Sequence, residues 1–345
     1  MRAGTGAATL EEFGRYANWY PEMKKGTVMN RLAAYLLAGA LAAPLPALAQ
    51  TNTFGPLLSP QEFAAVQAAA DPLVLDIRAP AEDGKSAYAE GHIPGSVNAP
   101  YGLFRGPSDN PGALVAEDKL QEVLRGLGVS LDRPVLIVHQ GSDITDFGAA
   151  ARVYWTLKSS GVSQLAILNG GVKGWTEAGL PLEQGTVSPT PSQFEIAFSD
   201  KWLATRDEVL AIVKGEQTAK LIDSRPESFW NGDDAHPAAA KPGTLPQSQY
   251  FTHSNWFADK PVIADADRVR ALAVENNLDT GEPIISFCNT GHWAATNWFA
   301  MSELAGLEDV KLYPESMVGW SNAGYEMANV PGPVRRVWNQ IKSVF

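Results

Sequence analysis

Cysteine is almost absent from this chain: 345 residues contain one, Cys288. A lone thiol excludes an intramolecular disulfide. Cys288 is therefore either a reactive group or a small buried apolar residue. Basic runs are also missing, and the net charge is −11. That excludes nucleic acid and anionic membrane surfaces as main partners, although backbone amides of an acidic protein still bind small anions. The dinucleotide-binding frame G-x-G-x-x-G does not occur. Gly170-Gly171 stands alone, late in its domain, and reads as a turn. Long apolar runs are scarce, with one at 32–49, "LAAYLLAGALAAPLPALA". It is Ala-rich, broken by Pro44 and Pro46, preceded by Arg31 and closed by Ala47-Leu48-Ala49 before Gln50. A basic start, an apolar middle and a small-x-small end make an export signal. The expectation is that residues 1–50 are this signal, beginning at Met29 with 1–28 as an upstream extension or a long basic region. The mature protein is then exported, in the periplasm, with no stable membrane association after cleavage. An uncleaved anchor is the competing reading, weakened by the short, proline-broken run.

What is present is a repeat. "DPLVLDIRAP" around Asp76 matches "AKLIDSRP" around Asp223; "RPVLIVHQGSD" matches "EPIISFCNTGH"; Gly174-Trp175 matches Gly319-Trp320. The distance Asp76–Gln140 equals Asp223–Cys288 within one residue, which pairs Gln140 with Cys288. Ser59-Pro-Gln-Glu62 and Thr205-Arg-Asp-Glu208 each open a helical run as a capping box. Short apolar strands alternating with helices predict an α/β fold: two copies of a parallel sheet flanked by helices. The expected division is a first domain over 51–183, a Pro/Ser/Thr-rich linker over 184–198 and a second domain over 199–345.

In such a fold ligands bind at the carboxyl ends of the strands, which is where "PIISF" delivers Cys288. Gly291 and the small Ala294 and Ala295 allow a tight loop that turns amides and a helix N-terminus toward the sulfur, favouring its thiolate.

Strand-Asp-x-Arg twice, "GHIPGSVN" at 91–98, "NGGVKGW" at 169–175 and a Cys-x-x-Gly-x-x-Ala loop in the second copy only: over residues ~55–335 the chain resembles the tandem rhodanese family of thiosulfate and 3-mercaptopyruvate sulfurtransferases. The resemblance implies that Cys288 attacks the outer sulfur of a small anionic donor and becomes a persulfide. The sulfur then passes to cyanide or a thiol, a protein thiol included. It implies no organic cofactor and no metal. The implied donor-binding residues are Asn289, Thr290, Gly291, His292 and Trp293, with Arg225, which is expected to pair with Asp223 at the sheet edge. The first copy, having no thiol, is non-catalytic and closes over the cleft.

Two departures bear on the donor. Thiosulfate-type members place basic residues directly after the cysteine, where this chain has Asn289 and Thr290. Mercaptopyruvate-type members carry two arginines after Asp-x-Arg, and here no arginine lies between Arg225 and Arg268; the only cationic candidates are Lys241 and His236. An oxoanion held by amides and His292 fits better than mercaptopyruvate. A phosphatase of the same fold needs an arginine closing the loop, and "CNTGHWAAT" has none. A papain-like protease has no support, and a non-catalytic binding module is the remaining rival. His92 reads as structural. Trp230, Trp256 and Trp293 are either a pocket lining or core.

Overall fold

The structure, a computed structural model, describes residues 54–80, 86–332 and 335. The export-signal segment 1–50 lies outside them. Two parallel sheets form, one from each copy. The first contains β1 (Leu57–Leu58), β2 (Leu73–Asp76), β3 (Val97–Asn98), β4 (Val135–Val138) and β5 (Leu165–Leu168) in the order β1-β5-β4-β2-β3. The second contains β6 (Lys220–Asp223), β7 (Gln249–Tyr250), β8 (Ile284–Phe287) and β9 (Val310–Leu312) in the order β7-β6-β8-β9. A single parallel bridge, Leu203 to Leu312, stands where the first sheet has β1. All strands are parallel, so helices must cross over between them.

The strand register corrects the pairing of the repeat. Asp76 lies opposite Val138, and Asp223 lies opposite Phe287. The residue that follows the strand is therefore His139 in the first copy and Cys288 in the second. Gln140 corresponds to Asn289. Matching the two copies by loop distance slipped the comparison by one position, whereas hydrogen-bonded registers cannot slip without turning every side chain to the other face.

Alternation along the strands builds three cores. Val74, Leu136, Val138, Ala166 and Leu168 face one outer layer, with Phe63 and Trp175. Leu221, Ile285 and Phe287 face the other, with Met317 and Trp320. The opposite faces, including Leu75, Ile137, Ile167, Ile222, Ile284 and Leu312, share one core built from both copies. Helix Ile144–Ser159 of the first copy packs on Trp293–Trp298 of the second inside it. Cys288 has the parity of Ile284, so the pleat sends it toward the shared face.

The helix starts are partly as expected. At Ser59 the capping box is complete: Ser59 Oγ accepts from the Glu62 amide at 3.3 Å, and Glu62 Oε2 accepts from the Ser59 amide at 2.8 Å. At Thr205 only the hydroxyl half forms, at 3.2 Å, because Glu208 instead accepts from Lys311 Nζ at 2.7 Å. Residues 184–198 contain no helix or strand, but they do not swing free: Phe194 is buried in the shared core. No helix among the described residues is long and apolar enough to cross a membrane.

Candidate active site

The Cys288 loop is anchored at both backbone edges. The Cys288 amide donates to Ser316 Oγ at 3.0 Å, and that hydroxyl donates to the Tyr313 carbonyl at 2.7 Å. The carbonyls of Cys288 and Asn289 accept from the amides of Met317 and Val318, both at 3.0 Å, at the start of helix Ser316–Asn322. Gly291 has φ 69°, and a side chain there would collide with Arg152 and with the Pro314 carbonyl. Cys288 itself is 1% exposed. The amides of Asn289, Thr290, Gly291 and His292 have no hydrogen-bond acceptor among the described residues.

The matching loop of the first copy shows what such amides hold. Asp146 Oδ2 accepts from the amides of Gly141 and Ser142 at 2.5 and 3.2 Å and faces His139 Nδ1 at 3.1 Å. Burial raises the Asp146 carboxyl, but His139 and the two amides outweigh it and leave the pKa below the ordinary carboxylate value. The loop of this fold is an anion cradle, and the first copy fills it with its own carboxylate. In the second copy the corresponding helix position is Ala295.

The expected site residues separate into several roles. Arg225 is 2% exposed and pairs with Asp223 through Nε and Nη2, at 2.9 and 2.7 Å. Its Nη1 donates to Asn289 Oδ1 at 3.2 Å, so it reaches the loop through Asn289. The first copy repeats the device, with Arg78 on Asp76 and Gln140. His292 is held by the first copy: Nε2–H donates to the Thr145 carbonyl at 2.7 Å, and Nδ1 accepts from the Tyr101 hydroxyl at 3.0 Å. Both bonds fit the neutral ring. Burial, with the Arg105 guanidinium nearby, pushes its pKa down to about 4. An imidazolium at this position, one of the options in the sequence, is thus not the form present near neutral pH.

Trp293 stacks on His253, with ring centres 5.0 Å apart. Trp256 is fully buried and bonds Asn297, so it belongs to the core, and Trp230 packs on Tyr250. His92 is buried, bonded to the Tyr88 carbonyl and stacked on that ring, as its structural reading expects. Burial and then Arg105 lower the pKa of half-buried His236, which leaves it a weak cation.

The sequence reading missed Tyr101, Arg105 and Arg152 of the first copy. Arg105 Nη2 donates to the Thr290 carbonyl at 3.0 Å, and its guanidinium lies over the Tyr101 ring at 5.1 Å. Arg152 donates to the Gly112 carbonyl at 3.1 Å and, more distantly, to the Gly291 carbonyl at 3.5 Å. Neither arginine has a carboxylate partner among the described residues, and Arg105 Nη1 and Arg152 Nε are buried without an acceptor. A visible signal existed for one of them: Arg152 is the only charge in "FGAAARVYWTL", an otherwise apolar helical run. No group of His, Cys, Asp and Glu able to hold a metal occurs among the described residues.

The fold, the tandem repeat and the lone thiol at a strand's carboxyl end define a two-domain sulfurtransferase. The chain belongs to the family of the Rhodanese-like domain, whose model matches residues 59–178 and 205–323. It is 28% identical over 275 residues to the putative thiosulfate sulfurtransferase SseB of Mycobacterium tuberculosis, covering 77% of this chain and 94% of that protein. It is 28% identical over 236 residues to 3-mercaptopyruvate sulfurtransferase of Escherichia coli, covering 68% and 81%. Among solved structures, SseA of Escherichia coli superposes with a TM-score of 0.63 at 24% identity, over 76% of this chain and 97% of that one, a likeness of fold.

Proposed function

We propose that this enzyme carries sulfane sulfur as a Cys288 persulfide, taken from a thiosulfate-type donor and passed to cyanide or a thiol. One observation carries the reading: the first copy's loop wraps its amides around Asp146, whereas the second copy's loop offers free amides beside a thiol. Backbone amides that stabilise a carboxylate also stabilise a thiolate or a persulfide anion.

In the first half-reaction the Cys288 thiolate attacks the outer sulfur of thiosulfate. The Sγ–S bond forms, the donor's S–S bond breaks, and its electron pair leaves with sulfite. The persulfide keeps one negative charge, which this reading assigns to the free loop amides of Asn289 to His292. In the second half-reaction cyanide attacks the terminal sulfur and leaves as thiocyanate, and the thiolate returns. Arg225, through Asn289, and Ser316, through the Cys288 amide, fix the loop for both steps. The absence of arginine between Arg225 and Arg268 counts against mercaptopyruvate as the donor.

Intact-mass measurement after incubation with thiosulfate tests the reading. One added sulfur on the natural protein, and none on Cys288→Ser, is the expected result. Turnover that survives Cys288→Ser would overturn it. Export completes the proposal: residues 1–50 direct the protein to the periplasm, with domains over 51–183 and 199–345 joined by 184–198. N-terminal sequencing of protein from its native source should begin near Gln50; a chain retaining 32–49 in a membrane fraction would indicate an anchor.

A further inference from the structure

The second copy lacks the cations that its family places around the thiol, yet the site is not without charge. Tyr101, Arg105 and Arg152 all come from the first copy and meet the cysteine loop at the boundary between copies. Arg105 donates to the Thr290 carbonyl at 3.0 Å, and Arg152 approaches the next carbonyl, that of Gly291, at 3.5 Å. A trans peptide directs its N–H opposite to its C=O. The Arg105 bond to the Thr290 carbonyl therefore fixes the direction of the Gly291 amide, which has no acceptor among the described residues.

The two guanidinium groups are also unusual in charge. Arg152 is 1% exposed, and no carboxylate among the described residues neutralises either group. Buried donors remain free on both, Nη1 of Arg105 and Nε of Arg152. Burial, then the neighbouring Arg105, lowers the Arg152 pKa to about 9, while the Tyr101 and Cys288 side chains, as anions, would oppose that shift. A buried cation without a counter-ion is costly, and a bound anion removes the cost. His292 and His236, the other ionisable groups beside Arg105, have lowered pKa values and contribute little positive charge at neutral pH.

We propose that the first copy supplies the cationic half of the donor site: Arg105 and Arg152 hold a small sulfur oxoanion beside Cys288. Two uncompensated cations match a dianion such as thiosulfate better than a monocarboxylate. This gives the thiol-free copy a direct part in donor recognition, beyond covering the cleft. It rests on the sulfurtransferase reading for the identity of the donor, but the binding site can be tested without turnover.

The test uses the full-length protein in a Cys288→Ser background, in which no sulfur is transferred. Thiosulfate, sulfite and pyruvate are titrated by calorimetry against this protein and against versions also carrying Arg105→Gln, Arg105→Lys or Arg152→Gln. Glutamine keeps a donor for the loop carbonyl and removes the charge. Each Gln variant is expected to weaken thiosulfate and sulfite binding at least about tenfold, the loss of one charge-assisted contact. Arg105→Lys, which keeps the charge, should recover much of the affinity. In the reactive protein, the ratio of Cys288 alkylation by anionic iodoacetate to that by neutral iodoacetamide should fall in Arg105→Gln. Arg105 is half-buried, so its variants remain informative if Arg152→Gln does not fold. Oxoanion affinity and alkylation ratio unchanged in folded Arg105→Gln would overturn the proposal even if the natural enzyme turns over thiosulfate. Pyruvate binding without sulfite binding would overturn the oxoanion assignment. Arginine-dependent oxoanion binding by a protein that forms no persulfide would support the anion site and sink the sulfurtransferase reading.

Discussion

Asp146 and Ala295 occupy the same place in the two copies. Each is the third residue of the helix after its loop, and each helix begins five residues beyond the residue that follows the central strand. The carboxylate closes the first cradle with hydrogen bonds from Gly141 and Ser142; the methyl group leaves the second cradle to the thiol. Two differences thus set the loops apart: His139 stands where the second copy has Cys288, and Asp146 fills the amides that Ala295 leaves free.

Changing either residue should shift the occupancy of its loop. Ala295→Asp places a carboxylate on the amides that serve Cys288 and repels the thiolate. Turnover of thiosulfate and cyanide should fall at least about a hundredfold, comparable with the loss of an oxyanion-stabilising donor. Asp146→Ala leaves two amides of the first copy without their carboxylate and should lower stability by about 1–3 kcal/mol in urea denaturation. An Ala295→Asp enzyme with natural turnover would mean the amides do not face the reacting sulfur.

Gly148 sets how closely the two copies approach. A Cβ at this position would lie 2.9 Å from the His292 ring and 3.0 Å from the His292 carbonyl. Gly148→Ala improves helix propensity by about 1 kcal/mol but overpacks this contact by about 1–3 kcal/mol. A net loss of stability is expected, together with slower sulfur transfer, because the displaced residue belongs to the Cys288 loop. Thermal melting and persulfide formation are the two measurements. Removing the ring as well, in Gly148→Ala/His292→Ala, should restore only part of the loss, since the carbonyl contact remains.

Much of the architecture is legible in the residues. Asp76 and Asp223 mark strand ends, Gly174-Trp175 and Gly319-Trp320 mark the same turn, and Cys288 follows an apolar run too short for a helix. The paired Asp223 and Arg225 follow from charge in an otherwise buried strand end. The pairing of His139 with Cys288 was hidden because loop length, unlike strand register, is not held by hydrogen bonds. Arg105 and Arg152 were hidden for another reason. Their role exists only where two distant segments meet, and within its own copy Arg105 looks like an ordinary loop cation. The neutral state of His292 was equally unreadable, because burial and the Arg105 guanidinium, both products of the tertiary structure, set it.

The His292 ring provides a pH test. Its pKa is about 4 in the folded protein and about 6.5 in an unfolded chain. The folded value is the lower one, so between these limits the unfolded state binds more protons. The stability linked to His292 is therefore fully present above about pH 6.5 and is lost as pH falls toward 4. His292→Gln should flatten this part of the urea-midpoint profile. The slope that remains includes His253 and His236, which burial also lowers. Because the ring is neutral near pH 7, the pH profile of Cys288 alkylation should keep its midpoint in His292→Gln; a higher midpoint would indicate an imidazolium acting on the sulfur.

The repeated Asp–Arg pairs offer an internal control. Asp76 with Arg78 and Asp223 with Arg225 have nearly the same geometry, closest contacts of 2.6 and 2.7 Å, and all four side chains are buried. Replacing either aspartate by asparagine leaves a buried guanidinium without its counter-charge, which costs about 3–5 kcal/mol. Both Asp76→Asn and Asp223→Asn should show this in urea denaturation. Their effects on chemistry should differ. Arg225 continues to Asn289 in the reactive loop, whereas Arg78 continues to Gln140 in the closed one. Single-turnover persulfide formation, measured well below the melting temperature, should slow in Asp223→Asn and remain close to natural in Asp76→Asn. Equal slowing in both would show that lost stability alone accounts for the effect. It would remove the argument that Arg225 acts on the Cys288 loop through Asn289.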